Sequence, residues 1–150
     1  MNIQVVTAVI EREDRRLLIG QRRREDSSPL KWEFPGGKVK VGESLEGALA
    51  REMREELGVN MLRAVPISHV EHDYGAGSGS LSITFFAVAI EETELHPVPF
   101  EQVAWVLPRE LGAYDFLAAN RRLIAELATG RIKPAEILAA IPPIAPSTSH

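Results

Sequence analysis

Gly36–Val59 reads GGKVKVGESLEGALAREMREELGV. A glycine pair opens it, a turn follows at Gly42-Glu43, and the remainder reads as a helix that stops at Gly58. Ser44 is expected to cap that helix, because its hydroxyl can accept from a first-turn N–H that has no helical partner. Gly58 suits the left-handed position just past a helix end. At about 100° per residue, Leu45, Leu49, Met53 and Leu57 form an apolar stripe that can face a core. Glu52, Glu55 and Glu56 project beside that stripe, since residues three and four apart are neighbours on a helix. The pattern predicts an acidic cluster on a rigid, half-buried element.

Like charges held that close oppose folding. At roughly 6 Å and an effective dielectric of about 20, each pair costs on the order of 3 kcal/mol, falling to a few tenths when fully solvated. Arg51, one turn before Glu55, and Arg54 can relieve part of that repulsion. A helix carrying REMREE is therefore either a solvated charged face or a site for a hard divalent cation such as Mg²⁺ or Mn²⁺. The spacing separates the two. Gly37, Glu43, Arg51-Glu52, Glu55-Glu56 and Gly58-Val59 stand at the fixed positions of the Nudix box. On these residues the chain resembles the Nudix hydrolases, which cleave nucleoside diphosphates linked to another group. The resemblance implies metal ligands at Glu52, Glu55 and Glu56, joined by the backbone carbonyl of Gly36. It implies further that Glu52 orients or deprotonates the attacking water, that Arg51 holds the carboxylates, and that Glu43 braces the loop against the helix. Glu101, before the strand that contains Trp105, stands where relatives can carry a further acidic ligand or base.

Composition narrows the alternatives. A chain of 150 residues is the size of one domain with a sizeable core, and 45% hydrophobic with 25% charged residues is an ordinary globular balance. No apolar run reaches membrane-spanning length. MNIQVVTAVIERED lacks the basic start and small-residue cleavage site of a secretion signal. The absence of cysteine excludes disulfides and thiolate metal sites and fits a reducing, cytoplasmic setting. A formal charge of -4 provides no electrostatic grip on long nucleic acid, whereas a free nucleotide that arrives with its own cation remains compatible. The expected partner is a nucleoside triphosphate, with no stable nucleic-acid complex, no membrane, and a monomer or homodimer.

Around the central stretch, Ile3–Ile10 is β-branched and apolar and predicts a buried strand. Glu11–Arg15 is a charged turn, and Arg16–Arg22 returns as a second strand, forming a hairpin with the first. Of the three arginines that follow, Arg24 is expected at the surface. Arg22 is expected to contact phosphate, because a guanidinium matches phosphate oxygens in a bidentate fork. In Trp32–Lys38, WEFPGGK, Trp32 is expected in the core and Phe34 in the wall of a pocket, while Lys38 is either exposed or reaches a phosphate. Met61–Tyr74, interrupted by Pro66, and Leu81–Ile90 predict a long hairpin joined by the flexible GAGSGS, Gly75–Ser80. His69 and His72 have opposite parity on its first strand and form no ligand pair. Val103–Leu107 is a further strand. Tyr114–Ala128 predicts a second helix with Asp115 as its N-cap, and Lys133–Ile141 a last short helical turn. Residues 1–141 read as one domain, with 142–150 as a tail.

Pattern alone supports a layered domain of helices and strands; the resemblance makes it α+β, the Nudix fold, with a mixed, curved sheet between helices. Two segments resemble the MutT branch, which removes oxidised purine triphosphates such as 8-oxo-dGTP: Trp32–Lys38, and DFLAAN at Asp115–Asn120. An asparagine amide offers a donor and an acceptor in one plane, enough to read two groups on a base edge. Asn120 is accordingly expected to bind substrate, with Asp115 at the head of the same segment; the plain alternative is a surface residue on a helix. A pyrimidine triphosphatase of the cytidine-triphosphate type is the competing substrate reading. A nucleotide-binding module without hydrolysis is the competing class, and retention of all three box glutamates argues against it.

Overall fold

The computed structural model describes residues 2–73, 79–97 and 99–141. Its central strand is β1 (Asn2–Ile10), whose apolar run is flanked by β4 (Gly36–Lys38) on one side and β6 (Ser80–Ile90) on the other. The β4 pairing is antiparallel and the β6 pairing parallel, so the sheet is mixed. β5 (Met61–Asp73) completes the order β4-β1-β6-β5 as an edge strand antiparallel to β6, the hairpin the sequence predicts. Pro66 does not interrupt β5. It pairs with Phe86 beside a register shift at Pro66/Ser68, which an edge strand tolerates because one side of its backbone needs no partner. The tip of this hairpin and the 142–150 tail fall outside the described residues.

β2 (Leu17–Gln21) does not form a hairpin ladder with β1. The charged turn closes as expected, with the Arg12 N–H donating to the Arg16 carbonyl at 2.8 Å and Arg15 at φ 73°. A single bridge between Glu11 and Leu17 is all that joins the two strands. β2 then pairs with β3 (Trp32–Glu33) and β7 (Gln102–Val106) in a second, antiparallel sheet of order β3-β2-β7. The reason is burial on both sides: Leu17 and Ile19 pack into one core and Leu18 into the other.

α1 (Leu45–Leu57) is the predicted helix. The Ser44 hydroxyl accepts from the Gly47 N–H, and Gly58 closes the other end at φ 69°. Its buried face is Ala48, Leu49, Met53 and Leu57, packed on Val6, Ala8 and Ile10 of β1. The opposite parity of β1 faces a second core, where Val9 meets Phe85, Trp32, Phe34 and Phe116. Leu123 and Leu127 of α2 (Arg121–Ala128) cover that core. α3 (Pro134–Ala139) follows, and Arg63 of β5 donates to its Leu138 carbonyl.

The second helix is shorter than its periodicity predicts. Residues 114–117 are not helical; Trp32 donates to the Asp115 carbonyl and Leu117 donates to the Trp32 carbonyl, so this segment lies alongside β3. A 3-10 turn at Ala118–Asn120 follows, and α2 begins only at Arg121. Asp115 is therefore no N-cap; its carboxylate binds Lys31 at 2.8 Å. Pairing with β3 satisfies these backbone groups outside a helix, which a local pattern cannot report.

Candidate active site

The turn-and-helix unit converges on Arg51. Its Nε and Nη2 bind both oxygens of Glu43, at 2.7 and 2.9 Å, and Nη2 also donates to the Lys38 carbonyl at 3.0 Å. Nη1 donates to Glu52 at 2.8 Å and to Glu55 at 3.1 Å. One guanidinium thus ties the loop, the helix and two of the three clustered carboxylates together, and its planar fork makes this possible where an ammonium could not. The pairing with Arg51 and a backbone bond from Lys40 hold Glu43 down at about 2.

Glu56 has a different environment. It accepts from the Gly36 N–H at 2.8 Å, and burial pushes its carboxyl up to about 8, opposed by that bond and reinforced by the charges of Glu52, Glu33 and Glu55. The glycine pair permits this approach. A side chain at Gly37 would collide with the Glu52 carboxylate, and one at Gly36 with the Val6 carbonyl of β1. The cluster therefore lies against the β4 backbone with oxygen donors at close quarters. Among the described residues no three acidic or imidazole side chains stand together as a ready-made cation cage; Arg51 holds two of the carboxylates and the Gly36 N–H the third.

Beside this edge opens a cavity of about 500 Å³, within the range of a nucleotide site. Its floor is the outward parity of the four-stranded sheet: Val5 and Thr7 of β1, Leu81 and Ile83 of β6, and His72 of β5. Phe34, the segment Leu117–Asn120, Gly36, Gly37, Lys38 and Glu56 belong to the same lining. Phe34 is held by Phe116, ring centroids 5.5 Å apart. Asn120 is buried, not a surface residue. A second cavity of about 490 Å³, against Leu107–Arg109, Gly130 and Ile132–Pro134, contains no residue of the glutamate helix.

The NUDIX domain family model matches residues 1–127. The chain belongs to the Nudix family. Among relatives of this Nudix hydrolase, the 8-oxo-dGTP diphosphatase of Haemophilus influenzae is 34% identical over 127 residues, covering 83% of this chain and 90% of the relative. The CTP pyrophosphohydrolase of Escherichia coli is 31% identical over 135 residues, covering 89% and 98%. Among solved structures, the MutT NUDIX hydrolase of Burkholderia pseudomallei superposes with a TM-score of 0.72 at 27% identity, covering 83% of this chain and 97% of that one. Nudix hydrolases act on nucleotides and generally use divalent cations. The donor set fits such an ion: hard carboxylate oxygens, one of them buried among like charges that a cation would neutralise.

Of the expected site residues in this Nudix chain, the structure brings Arg22, Phe34, Gly36, Lys38, Glu56 and Asn120 to the cavity. Trp32 is in the core, as expected. Arg22 is already engaged: Nε and Nη2 bind Ser27, and Nη1 binds Glu33 at 3.2 Å. Burial raises the Glu33 carboxyl above its ordinary value against the pull of Arg22. Six are not among its lining residues: Glu43, Arg51, Glu52 and Glu55 belong to the arginine clasp, and two others face elsewhere. Asp115 faces Lys31, and Glu101 faces the exposed Arg24 at 3.8 Å. Reading the sequence missed Thr7, His72, Ser27 and Ser28 as cavity residues. For Thr7 a signal existed, as the one polar side chain within VVTAVI, Val5–Ile10. Among the described residues no helix is long and apolar enough to cross a membrane.

Proposed function

We propose that this enzyme hydrolyses a nucleoside triphosphate to the monophosphate and pyrophosphate, with Mg²⁺ as its cofactor and an oxidised purine such as 8-oxo-dGTP as its preferred base. The observation that carries the reading is that one cavity joins an aromatic and amide wall, Phe34 and Asn120, to the glutamate edge at Gly36, Gly37 and Glu56. The 8-oxo-dGTP diphosphatase activity of the Haemophilus relative supports the same substrate.

In this reading the base rests on Phe34 with its polar edge toward the Asn120 amide, and the phosphates run along β4 toward α1. Glu52, Glu55 and Glu56, with the Gly36 carbonyl, would hold the cation. Bound there, it neutralises phosphate charge and lowers the pKa of water. Glu52 orients the attacking water and takes its proton. A bond forms from the water oxygen to the β-phosphorus, and the bond to the bridging oxygen breaks. That oxygen leaves with the monophosphate. Arg51 keeps Glu52 and Glu55 from turning away, and Glu43 fixes Arg51. Lys38 and Arg22 add positive charge at the phosphate side, Arg22 from a guanidinium oriented by Ser27 and Glu33. Positioning and electrostatics carry the rate. The intact carboxylate set supports hydrolysis over mere nucleotide binding.

The CTP pyrophosphohydrolase relative, matched over 98% of its length, favours a pyrimidine triphosphate as the second reading. Comparing 8-oxo-dGTP, dGTP and CTP under Mg²⁺ with pyrophosphate release as the readout separates the two. The highest kcat/KM is expected for 8-oxo-dGTP; a preference for CTP overturns the purine reading, and no turnover of any triphosphate overturns the hydrolase reading.

A further inference from the structure

Three polar residues of the described chain are buried: Thr7, Ser82 and Asn120, at 6%, 8% and 5% exposure. Their surroundings differ. The Ser82 hydroxyl donates to Glu71 at 2.8 Å and lies 3.3 Å from the Asn2 side-chain oxygen. Among the described residues, neither the Thr7 hydroxyl nor the Asn120 amide has a hydrogen-bond partner, and both residues line the same cavity. Neither is a fully enclosed polar atom, a condition that among the described residues falls on Glu126 Oε1 alone; the polar groups of Thr7 and Asn120 are instead open to the cavity and available to a ligand. Neighbouring floor positions are apolar, Val5, Leu81 and Ile83, so a hydroxyl at position 7 is not required for packing.

The register locates this hydroxyl. Thr7 pairs with Gly36 on one side and Phe85 on the other, and the next N–H, that of Ala8, donates to the Pro35 carbonyl at 2.7 Å. Thr7 is thereby fixed beside the backbone that carries Phe34. Phe34 in turn packs on Phe116, four residues before Asn120. Phe34, Thr7 and Asn120 thus line one cavity, the first two joined through the β1–β4 pairing and the first and last through Phe116.

We propose that Thr7 is a specificity-determining residue: its hydroxyl hydrogen-bonds the nucleoside part of the substrate, as a second polar reader alongside Asn120. The inference rests on the reading that this cavity takes a nucleotide, but not on hydrolysis. The site would favour a base with polar groups on two edges over one with a single polar edge, because an apolar edge laid against the hydroxyl would strip it of water and give no bond in return.

The test is the affinity of the metal-free protein for 8-oxo-dGMP and dGMP, measured by calorimetry with Tm in parallel. Thr7→Val keeps the shape and removes the hydroxyl; Thr7→Ser keeps the hydroxyl. Thr7→Val is expected to weaken binding of the tighter nucleotide about 10-fold, the scale of one hydrogen bond to a buried group. Its Tm should be equal to or above wild type, since no protein partner is lost, and Thr7→Ser should bind within about twofold of wild type. A change below about twofold in Thr7→Val overturns the proposal. So does a loss that comes with a lower Tm, or one that Thr7→Ser shares, either of which marks a packing role. Wild-type protein that binds neither nucleotide also overturns it. Wild-type protein that binds but hydrolyses no triphosphate overturns the hydrolase reading and leaves this one standing on its own affinities.

Discussion

The two ends of the site are built on opposite principles. At the glutamate end, Arg51 spends its donors inside the protein, on Glu43, Glu52, Glu55 and the Lys38 carbonyl. At the cavity end, Thr7 and Asn120 have no hydrogen-bond partner among the described residues and open onto the cavity. A phosphate chain and its cation carry high charge, and holding several carboxylates at that spacing requires a cation of the protein's own until the ligand arrives. A base is neutral, so its readers can stand open to the cavity and be solvated until it arrives. The comparison predicts that damage to the first end acts on the chemistry and damage to the second acts on substrate choice.

The largest effect is expected at Glu56. Glu56→Gln should lower Mg²⁺-dependent turnover about 100-fold or more while leaving the circular dichroism spectrum intact. Burial holds this carboxyl near 8, above its ordinary 4.5. The stability it contributes is therefore present below 4.5 and lost as pH rises through about 8, and the neutral amide should melt no lower than wild type at pH 8. Undiminished activity would remove Glu56 from the metal set and break the comparison at its first end.

Arg51→Lys comes next. It retains charge but cannot span Glu43, Glu52 and the Lys38 carbonyl at once, and a loss of about 10- to 100-fold in kcat is expected, the scale of removing a ligand-orienting group. A change in KM alone would mean that Arg51 binds substrate instead of bracing carboxylates. Asn120→Ala should raise KM for 8-oxo-dGTP about 10-fold, and for dGTP less, with kcat little changed. Equal effects on both nucleotides would show that the second end does not read the oxidised edge.

The smallest effect concerns pH. Arg51 lowers the Glu43 carboxyl from an ordinary 4.5 to about 2. Its contribution to stability is thus fully present above 4.5 and lost as pH falls through about 2. The Tm difference between wild type and Glu43→Gln should shrink across that window. A constant difference would mean that the pairing does not govern acid sensitivity.

The helix at the heart of the molecule was legible because everything that specifies it is local. Ser44, Gly58 and the stripe Leu49, Met53, Leu57 act within a few turns of one another. The β5–β6 hairpin was legible for the same reason. The ladder expected between β1 and β2 was not formed, since Leu17, Leu18 and Ile19 are buried on both faces and periodicity cannot say in which sheet such a strand belongs. The second helix was read seven residues too long, from Tyr114 in place of Arg121, because backbone pairing with Trp32 outcompeted an adequate helical pattern.

The sequence by itself determined the family and the arginine clasp: the box residues occur at spacings that one helix and one turn convert directly into a guanidinium shared by Glu43, Glu52 and Glu55. Tertiary structure decided which groups line the cavity beside it. Thr7, Phe34, His72 and Asn120 belong to four separate elements, and their convergence depends on β1 lying between β4 and β6 and on residues 114–117 running along β3. Those are pairings between distant parts of the chain, which short-range patterns do not encode.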